Sequence, residues 1–317
     1  MTSKLLRSLT AAALLGAVFQ AFGQSYPQRA ITWMVPYSAG GGTDVTARML
    51  AKPLSEALGQ PIVIDNKAGG GTAIGAAQLG RAPADGYYIG TLDASTVAVI
   101  PHIESKLPYD PEKSFRYIGG IAMYPWVLVV NPKVPAKNLQ ELIALAKAKP
   151  GELTFGTPNP KGTAYLSMER FQQAAHVKLL HVPYKGDAAG IQDLLGGQIN
   201  MYLANTLAVL PHLESGKLRA LAVGRLKRLP ALPNVPTFHE QGLTGYETYG
   251  WQALAAPAGT PTEVINRLNT ELNKLLTTGE TAQRLRDTGV ETFPTTPEEI
   301  ARHAKAESAA YKALIQK

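Results

Sequence analysis

The chain has 317 residues, no cysteine and a formal net charge of +7 at pH 7, and 45% of its residues are hydrophobic. The lack of cysteine excludes disulfide bonds, thiol catalysis and a lipid-anchored lipoprotein, and the length makes two domains the default expectation. Basic residues are scattered apart from one cluster at residues 225–228, and no aromatic residues interleave with it, so nucleic-acid binding is not expected.

Residues 1–23 have the pattern of a secretory signal peptide. Lys4 and Arg7 give a basic start, an apolar run follows, and small residues precede a cleavage site expected near Gly23/Gln24. The apolar run is too short to span a bilayer comfortably, although an uncleaved membrane anchor is the alternative. We therefore expect a periplasmic protein whose mature chain has a formal charge of +5, from 29 basic and 24 acidic residues.

The first motif of the mature chain is VPYSAGGGTDVTAR, at residues 35–48. The apolar run 31–35 predicts a strand, three glycines follow, and apolar residues at helical spacing begin after Asp44. Glycines let backbone N–H groups approach a ligand closely, and the first N–H groups of a helix lie at the positive end of its dipole without intrahelical acceptors. The motif predicts an anion-binding turn at residues 37–44, which we call the first cradle.

Apolar runs alternate with amphipathic stretches along the rest of the chain, which is typical of an α/β fold. The predicted strands are residues 62–65, 88–92, 127–130, 153–155, 217–223 and 252–255, and predicted helices include residues 139–147, 164–175 and 188–195. Capping boxes at residues 260–263 and 296–299 predict the starts of two C-terminal helices, and Gly279 is expected to end the first of them.

A second turn resembles the first cradle. Residues 153–170, LTFGTPNPKGTAYLSMER, repeat the order strand, turn, Gly-Thr and helix, and we call residues 157–164 the second cradle. Two such turns suggest two helix N-termini that face each other across a cleft, with an anion between them. The alternative is that both are ordinary strand–helix turns, in which glycine and threonine are common.

Sequence motifs of the common enzyme classes are missing. The chain has no G-x-S-x-G, H-E-x-x-H, G-x-x-x-x-G-K-[ST] or G-x-G-x-x-G pattern, and its six histidines lie far apart. No metal site is therefore predicted. Asp44, in the first turn of a helix, is expected to cap N–H groups, with a role as general base as the alternative.

Several longer motifs occur together in one order, and they carry a family resemblance. They are YPQRAITWMVPYSAGGGTDVTARMLA, LGQPIVIDNKAGGGTAIGA, APADGY, LPYDPEKSF, HVPYKGDAAGIQDLLGGQIN, LPHLESGKLRALAV and LPNVPTFHEQGLTGYE. With these motifs the chain resembles the extracytoplasmic solute-binding receptors of tripartite tricarboxylate transporters, the Bug family. The resemblance covers nearly the whole mature chain, from about Tyr26 to the last predicted helix.

The resemblance implies a two-domain α/β fold of the periplasmic-binding-protein (Venus flytrap) type, with the ligand cleft between the domains. Residues 24–125 and 247–317 would form domain I, and residues 126–246 would form domain II. The implied function is that of a monomeric receptor, without catalysis, cofactor or metal. It captures a small organic carboxylate and delivers it to a membrane permease. The alternatives are a periplasmic sensor for a signalling partner and a secreted enzyme that uses Asp44 or Asp93 as base.

The resemblance also implies the site, because the family holds a ligand carboxylate mainly with backbone amides and hydroxyls of the two cradles. In the first cradle it points to Tyr37, Ser38, Ala39, Gly41, Gly42, Thr43 and Asp44, and in the second to Thr157, Gly162, Thr163 and Ala164. The segment LDAST adds Asp93 and Ser95, with capping of the following helix as the alternative for Asp93. Lys161 adds a charge to the second cradle, and Ala204 stands where the family commonly has an aspartate.

Overall fold

The computed structural model describes residues 26–316, so the predicted signal peptide and its cleavage site lie outside the described residues. Its strands form one twisted path in the order β2-β1-β3-β9-β4-β7-β5-β6, and β8 and β10 also pair with β4. The strands are β1 (Ile31–Val35), β2 (Ile62–Asn66), β3 (Tyr88–Asp93), β4 (Phe115–Val130), β5 (Thr154–Thr157), β6 (Leu180–Pro183), β7 (Met201–Asn205), β8 (Arg219–Val223), β9 (Tyr249–Pro257) and β10 (Glu291–Thr292).

Helices cover the sheet and connect its parallel strands, as the predicted α/β class requires. They are α1 (Gly42–Leu58), α2 (Ala73–Arg81), α3 (Leu139–Ala148), α4 (Thr163–Ala175), α5 (Asp187–Gly196), α6 (Thr206–Glu214), α7 (Thr262–Thr277), α8 (Gly279–Asp287) and α9 (Pro297–Ile315). A short 3₁₀ turn at Gly70–Thr72 precedes α2. A π-helical turn at Ser95–Val99 follows β3. Among the described residues, every helix is too short or too polar to cross a membrane.

The long strand β4 takes part in two sheets. Up to Pro125 it pairs antiparallel with β9, and from Trp126 onward it pairs antiparallel with β7 and β8. We use lobe I for the part built on β1–β3, β9, β10 and the first part of β4, and lobe II for the part built on the rest of β4 and β5–β8. The chain therefore passes between the lobes inside a hydrogen-bonded strand, which limits the freedom of the connection.

Buried apolar stripes fix the helices on the sheet. The predicted stripe of α7 is confirmed, because Val264, Leu268, Leu272 and Leu276 are all buried. Trp33 of β1 is also fully buried, and its indole N–H donates to Thr91 Oγ1 of β3 at 2.9 Å. Hydrophobic burial of this extent is the main favourable contribution to folding.

Two predictions at the C-terminal helices differ from the structure. The Thr260 hydroxyl donates to Pro257 O at the end of β9 and caps no helix, so the predicted box at residues 260–263 is wrong and Pro261 precedes α7. Gly279, with φ of +85°, starts α8 instead of ending α7, because the extended Thr278 has already broken the helix. The box at residues 296–299 is confirmed at the start of α9.

Candidate ligand-binding site

Asp44 holds the first cradle in shape. Its Oδ2 accepts the Gly40 N–H at 2.9 Å and Arg48 Nε at 2.9 Å, and its Oδ1 accepts Asn66 Nδ2 at 3.0 Å. Desolvation raises the pKa of Asp44, but the hydrogen bonds from Arg48, Gly40 and Asn66 outweigh it and leave the pKa below its usual value. Asp44 therefore caps the turn through the Gly40 N–H, in agreement with its expected capping role, and its other oxygen joins the turn to β2.

The glycines of the first cradle lie directly against lobe II. The Gly42 N–H donates to Asp187 Oδ2 at 3.1 Å, at the N-terminus of α5. A Cβ on Gly42 would lie 2.5 Å from Asn205 Cγ, and one on Gly41 would lie 3.3 Å from the Asp187 backbone N. Glycine is thus needed here for the close approach of the two lobes.

The other predicted residues of the first cradle have different environments. Ser38 donates its backbone N–H and its hydroxyl to Lys185 O, at 3.2 and 3.1 Å, and this also joins the lobes. Ala39 is exposed, whereas Thr43 is buried and its Oγ1 accepts Gln252 Nε2 at 2.9 Å. The loop therefore contacts lobe II mainly through Ser38 and the glycines.

Tyr37 and Asp93 form a buried pair behind the first cradle. The Tyr37 hydroxyl donates to Asp93 Oδ2 at 2.5 Å, and Asp93 Oδ1 accepts the backbone N–H and the hydroxyl of Thr96 at 2.8 and 2.6 Å. Burial raises the pKa of Tyr37. Burial also raises the pKa of Asp93, although hydrogen bonds from Thr96 and Tyr37 lower it in part. Asp93 therefore caps the turn that follows β3, and its oxygens are occupied by protein donors.

The second cradle starts α4 and contacts lobe I through Ser95. The Thr163 N–H donates to Ser95 Oγ at 3.2 Å, and a Cβ on Gly162 would lie 2.6 Å from the same oxygen. Thr157, at the end of β5, donates its hydroxyl to Asn159 O at 2.9 Å and lies 2.8 Å from His181 Nε2. Ala164 has its side chain in the core, so only its backbone is available to a ligand.

Lys161 and Asn159 extend the second cradle toward lobe I. Lys161 Nζ forms an ion pair with Glu104 Oε1 at 2.6 Å, and both side chains are a little under half exposed. Asn159 Nδ2 donates to Gly71 O at 3.1 Å, and its Oδ1 accepts the Lys161 N–H at 3.0 Å. These contacts join the lobes in the same way as those of the first cradle.

A cavity of about 370 Å³ opens between the lobes beside these contacts, within the usual size range of small-molecule pockets. Lobe I contributes Pro36, Tyr37, residues 69–72, Ile100 and Glu104, and lobe II contributes residues 158–161 and 183–185. The predicted residues Tyr37 and Lys161 thus line one cavity. Ala204 does not line it, because Ala204 is fully buried in an apolar cluster that also contains Val127 and Val223.

Sequence reasoning missed four residues that take part in the contacts between the lobes. They are Asn159, Glu104, Asp187 and Asn205. Asn159 could have been predicted from the sequence, since it lies in the second cradle and asparagine side chains commonly form hydrogen bonds within their own turn. The other three are separated from their partners by long stretches of chain, and no local pattern marks them. Across residues 26–316, no group of three or more histidine, aspartate or glutamate side chains is arranged to hold a metal ion.

Two lobes around a cavity, joined through a shared strand, define a two-lobed solute-binding protein of the periplasmic type. A family model described as the tripartite tricarboxylate transporter family receptor matches residues 46–317, and the chain belongs to that family. The resemblance seen in the sequence is therefore confirmed. BugT of Bordetella pertussis is 38% identical over 253 residues, covering 80% of this chain and 78% of BugT.

Solved structures of related proteins have the same fold. Rpa4515 of R. palustris, solved with adipate, is 36% identical with a TM-score of 0.90, covering 92% of this chain and 98% of that one. MatC from Rhodopseudomonas palustris, solved with bound malate, is 28% identical with a TM-score of 0.86, covering 92% of this chain and 100% of MatC. The predicted two-domain receptor fold is thereby confirmed.

Proposed function

We propose that this protein captures a small organic carboxylate between its lobes in the periplasm and delivers it to the membrane permease of a tripartite tricarboxylate transporter. The observation that carries the proposal is the interlobe cavity beside the second cradle, in a receptor of this family. Adipate and malate in the two related structures support a carboxylate as the ligand class.

The second cradle has the chemistry to hold a carboxylate. The first N–H groups of α4 have no intrahelical acceptors and lie at the positive end of the helix dipole. A carboxylate accepts such N–H groups in charge-assisted hydrogen bonds that are stronger than neutral ones. Lys161 adds positive charge at the edge of the cavity, although Glu104 offsets part of it.

Contacts across the cleft indicate how occupancy is signalled. The pairs Gly42–Asp187, Thr163–Ser95 and Lys161–Glu104 form only when the lobes approach, so a ligand that bridges the lobes favours the closed shape. A permease that recognises the closed shape then distinguishes loaded from empty receptor. We place the domain boundaries at 125/126 and 246/247, supported by the change of partners of β4 at Trp126.

The enzyme alternative has less support than the receptor. Asp44 and Asp93, the two candidate bases, each use both carboxylate oxygens in hydrogen bonds to protein donors. A general base needs a free oxygen within reach of a substrate proton. We therefore infer a receptor that releases its ligand unchanged. We also propose that it acts as a monomer.

Native mass spectrometry of the purified protein, followed by a thermal-shift panel of carboxylates, tests the proposal. A true ligand at a hundred times its Kd stabilises the folded protein by about 2.7 kcal/mol. Loss of uptake of that ligand when either the receptor or the permease is deleted would support transport. Ligand-dependent binding to a signalling protein with unchanged uptake would support the sensor instead.

A further inference from the structure

Asp187 is a buried carboxylate at the boundary between the lobes. It is the first residue of α5, only 5% of it is exposed, and its Oδ2 accepts the Gly42 N–H across the cleft at 3.1 Å. Its Oδ1 is fully buried and has no hydrogen-bond partner among the residues that the structure describes. One carboxylate oxygen is thus bound to the first cradle, and the other has no donor.

Protein carboxylates therefore already accept two N–H groups of the first cradle. Asp44 Oδ2 accepts the Gly40 N–H and Asp187 Oδ2 accepts the Gly42 N–H. A ligand carboxylate placed there would compete for the same donors and would lie beside two negative side chains. The hydroxyl of Thr43 is also engaged, because it accepts Gln252 Nε2.

The second cradle differs in this respect. Its Thr163 N–H meets a neutral hydroxyl, Ser95 Oγ, and the charged side chain nearest in sequence is that of Lys161. A ligand carboxylate can replace or share the Ser95 hydroxyl, which is a neutral acceptor. The two cradles therefore differ in the charge of the side chains that accept their N–H groups, although their sequences are alike.

We propose that Asp187 acts as a built-in anion for the first cradle, so that the receptor selects ligands with a single carboxylate and a hydrogen-bond donor at the other end. The ligand carboxylate binds the second cradle, and a hydroxyl or ammonium group of the ligand donates to Asp187 Oδ1. A second carboxylate at that end is rejected. This inference rests on the proposed function and specifies its ligand class.

The surroundings of Asp187 agree with an acceptor role. Burial raises the pKa of Asp187 to about 6, while the hydrogen bond from the Gly42 N–H acts against this shift. At pH 7 the carboxylate is thus mainly ionised, and an ionised oxygen without a donor is costly to bury. A ligand donor removes that cost, whereas a ligand anion increases it.

Calorimetric titration with matched probes tests the proposal. The probes are adipate, hexanoate, 6-hydroxyhexanoate and 6-aminohexanoate, together with succinate, butyrate, 4-hydroxybutyrate and 4-aminobutyrate. We expect a hydroxy- or amino-monocarboxylate to bind at least about tenfold more tightly than both the dicarboxylate and the unsubstituted acid of its length. The hydroxy and amino probes separate a hydroxyl from an ammonium as the donor.

Asp187→Asn removes the charge with little change of shape, and Asp187→Ser is a second variant should the first fold poorly. We expect either to shift the affinity ratio at least about tenfold toward the dicarboxylate. Glu214→Gln, which removes the same charge from an exposed residue of α6, should leave the ratio unchanged.

The ratio of the wild-type affinities for substituted monocarboxylates and for dicarboxylates tests the inference even without the variants. Equal or tighter binding of dicarboxylates by the wild type would overturn this inference while leaving the proposed function intact. Binding of no carboxylate in the panel would overturn both. An unchanged ratio in the Asp187 variants would show that Asp187 does not set the preference.

Discussion

Lys161 Nζ of lobe II lies 2.6 Å from Glu104 Oε1 of lobe I, and both residues line the interlobe cavity. The pair forms only in the closed arrangement and is partly exposed to solvent. An exposed pair of this kind contributes about 1 kcal/mol or less, and salt screens it. Its main effect is therefore expected on the lifetime of the closed form.

Lys161→Ala is expected to speed ligand release a few-fold in stopped-flow measurements, because it removes this contact from the closed form. The difference from wild type should shrink when the ionic strength is raised. Glu104→Ala should act similarly, and the double variant should be no faster than either single one. Additive effects of the two changes would contradict a direct pairing.

Gly42→Ala is expected to weaken ligand binding by at least about tenfold, which corresponds to roughly 1.4 kcal/mol. The added Cβ would lie 2.5 Å from Asn205 Cγ, and Asn205 is held in place because its Oδ1 caps α6 by accepting the Leu207 N–H at 3.0 Å. The clash exists only when the lobes are closed. Thermal shifts with and without ligand measure the effect.

Gly196→Ala is the control for this substitution, since an added Cβ there meets only Gln198 Cγ, at 3.9 Å. It should leave the ligand-induced thermal shift unchanged. If Gly42→Ala also kept the full shift, the close approach of the first cradle to lobe II would play no part in binding.

His181 is expected to make the folded protein less stable as the pH falls. Burial lowers the pKa of His181 to about 4, between the rings of Phe155 and Tyr165. The unfolded chain takes up a proton on this histidine below its ordinary pKa of about 6.5, whereas the folded chain does not until about pH 4. The contribution of His181 to stability is therefore fully present above pH 6.5 and is lost as the pH falls from 6.5 to about 4.

His181→Gln should remove this contribution to the pH dependence. Urea unfolding of wild type and variant at pH 7 and pH 5 gives the comparison. We expect the wild type to lose on the order of 1 kcal/mol more than the variant between these two conditions. Equal losses would mean that His181 titrates alike in the folded and unfolded chains.

Glu299 and Glu263 hold the same position in two similar sequence motifs, but only the first is part of a capping box. Glu299 Oε2 accepts the Thr296 N–H at 2.8 Å, whereas α7 has no side-chain cap. We expect Glu299→Ala to lower the free energy of unfolding by about 0.5–1 kcal/mol and Glu263→Ala to have no such effect. Chemical unfolding of both variants provides the comparison.

These two motifs illustrate how far local sequence determines structure. The residues at both sites satisfy the same pattern, but α7 begins at Thr262, one residue later than the pattern predicts, so Thr260 lies outside the N-cap position and its hydroxyl donates to Pro257 O at the end of β9. At Thr296 the helix begins where the pattern predicts, and the box forms. A cap motif therefore forms a cap only where the preceding segment places its hydroxyl at the N-cap.

The strand β4 was predicted only at residues 127–130, although it spans Phe115–Val130. Glycine and proline are unfavourable inside strands, and the first part of β4 contains Gly119, Gly120 and Pro125. The sequence pattern therefore gives no strand prediction for that part. A Cβ at Gly120 would meet Phe293, and the pairing with β9 shifts register around these glycines. The packing that makes glycine necessary comes from distant segments.

The candidate site shows the same limit. The first cradle and its capping aspartate were visible locally, because Gly40 and Asp44 are four residues apart. The bond between Gly42 and Asp187 joins residues 145 positions apart, and nothing near either residue predicts it. The sequence therefore suggested two equivalent cradles, whereas their partners from the opposite lobe make them unequal.

The central claim is that the protein binds a small carboxylate between its lobes and releases it unchanged. Titration of the purified protein with the carboxylate panel, followed by nuclear magnetic resonance of the recovered ligand, tests it most directly. We predict saturable binding at one site per chain and a chemically intact ligand after prolonged incubation. Absence of binding by every carboxylate, or conversion of the bound one, would contradict the claim.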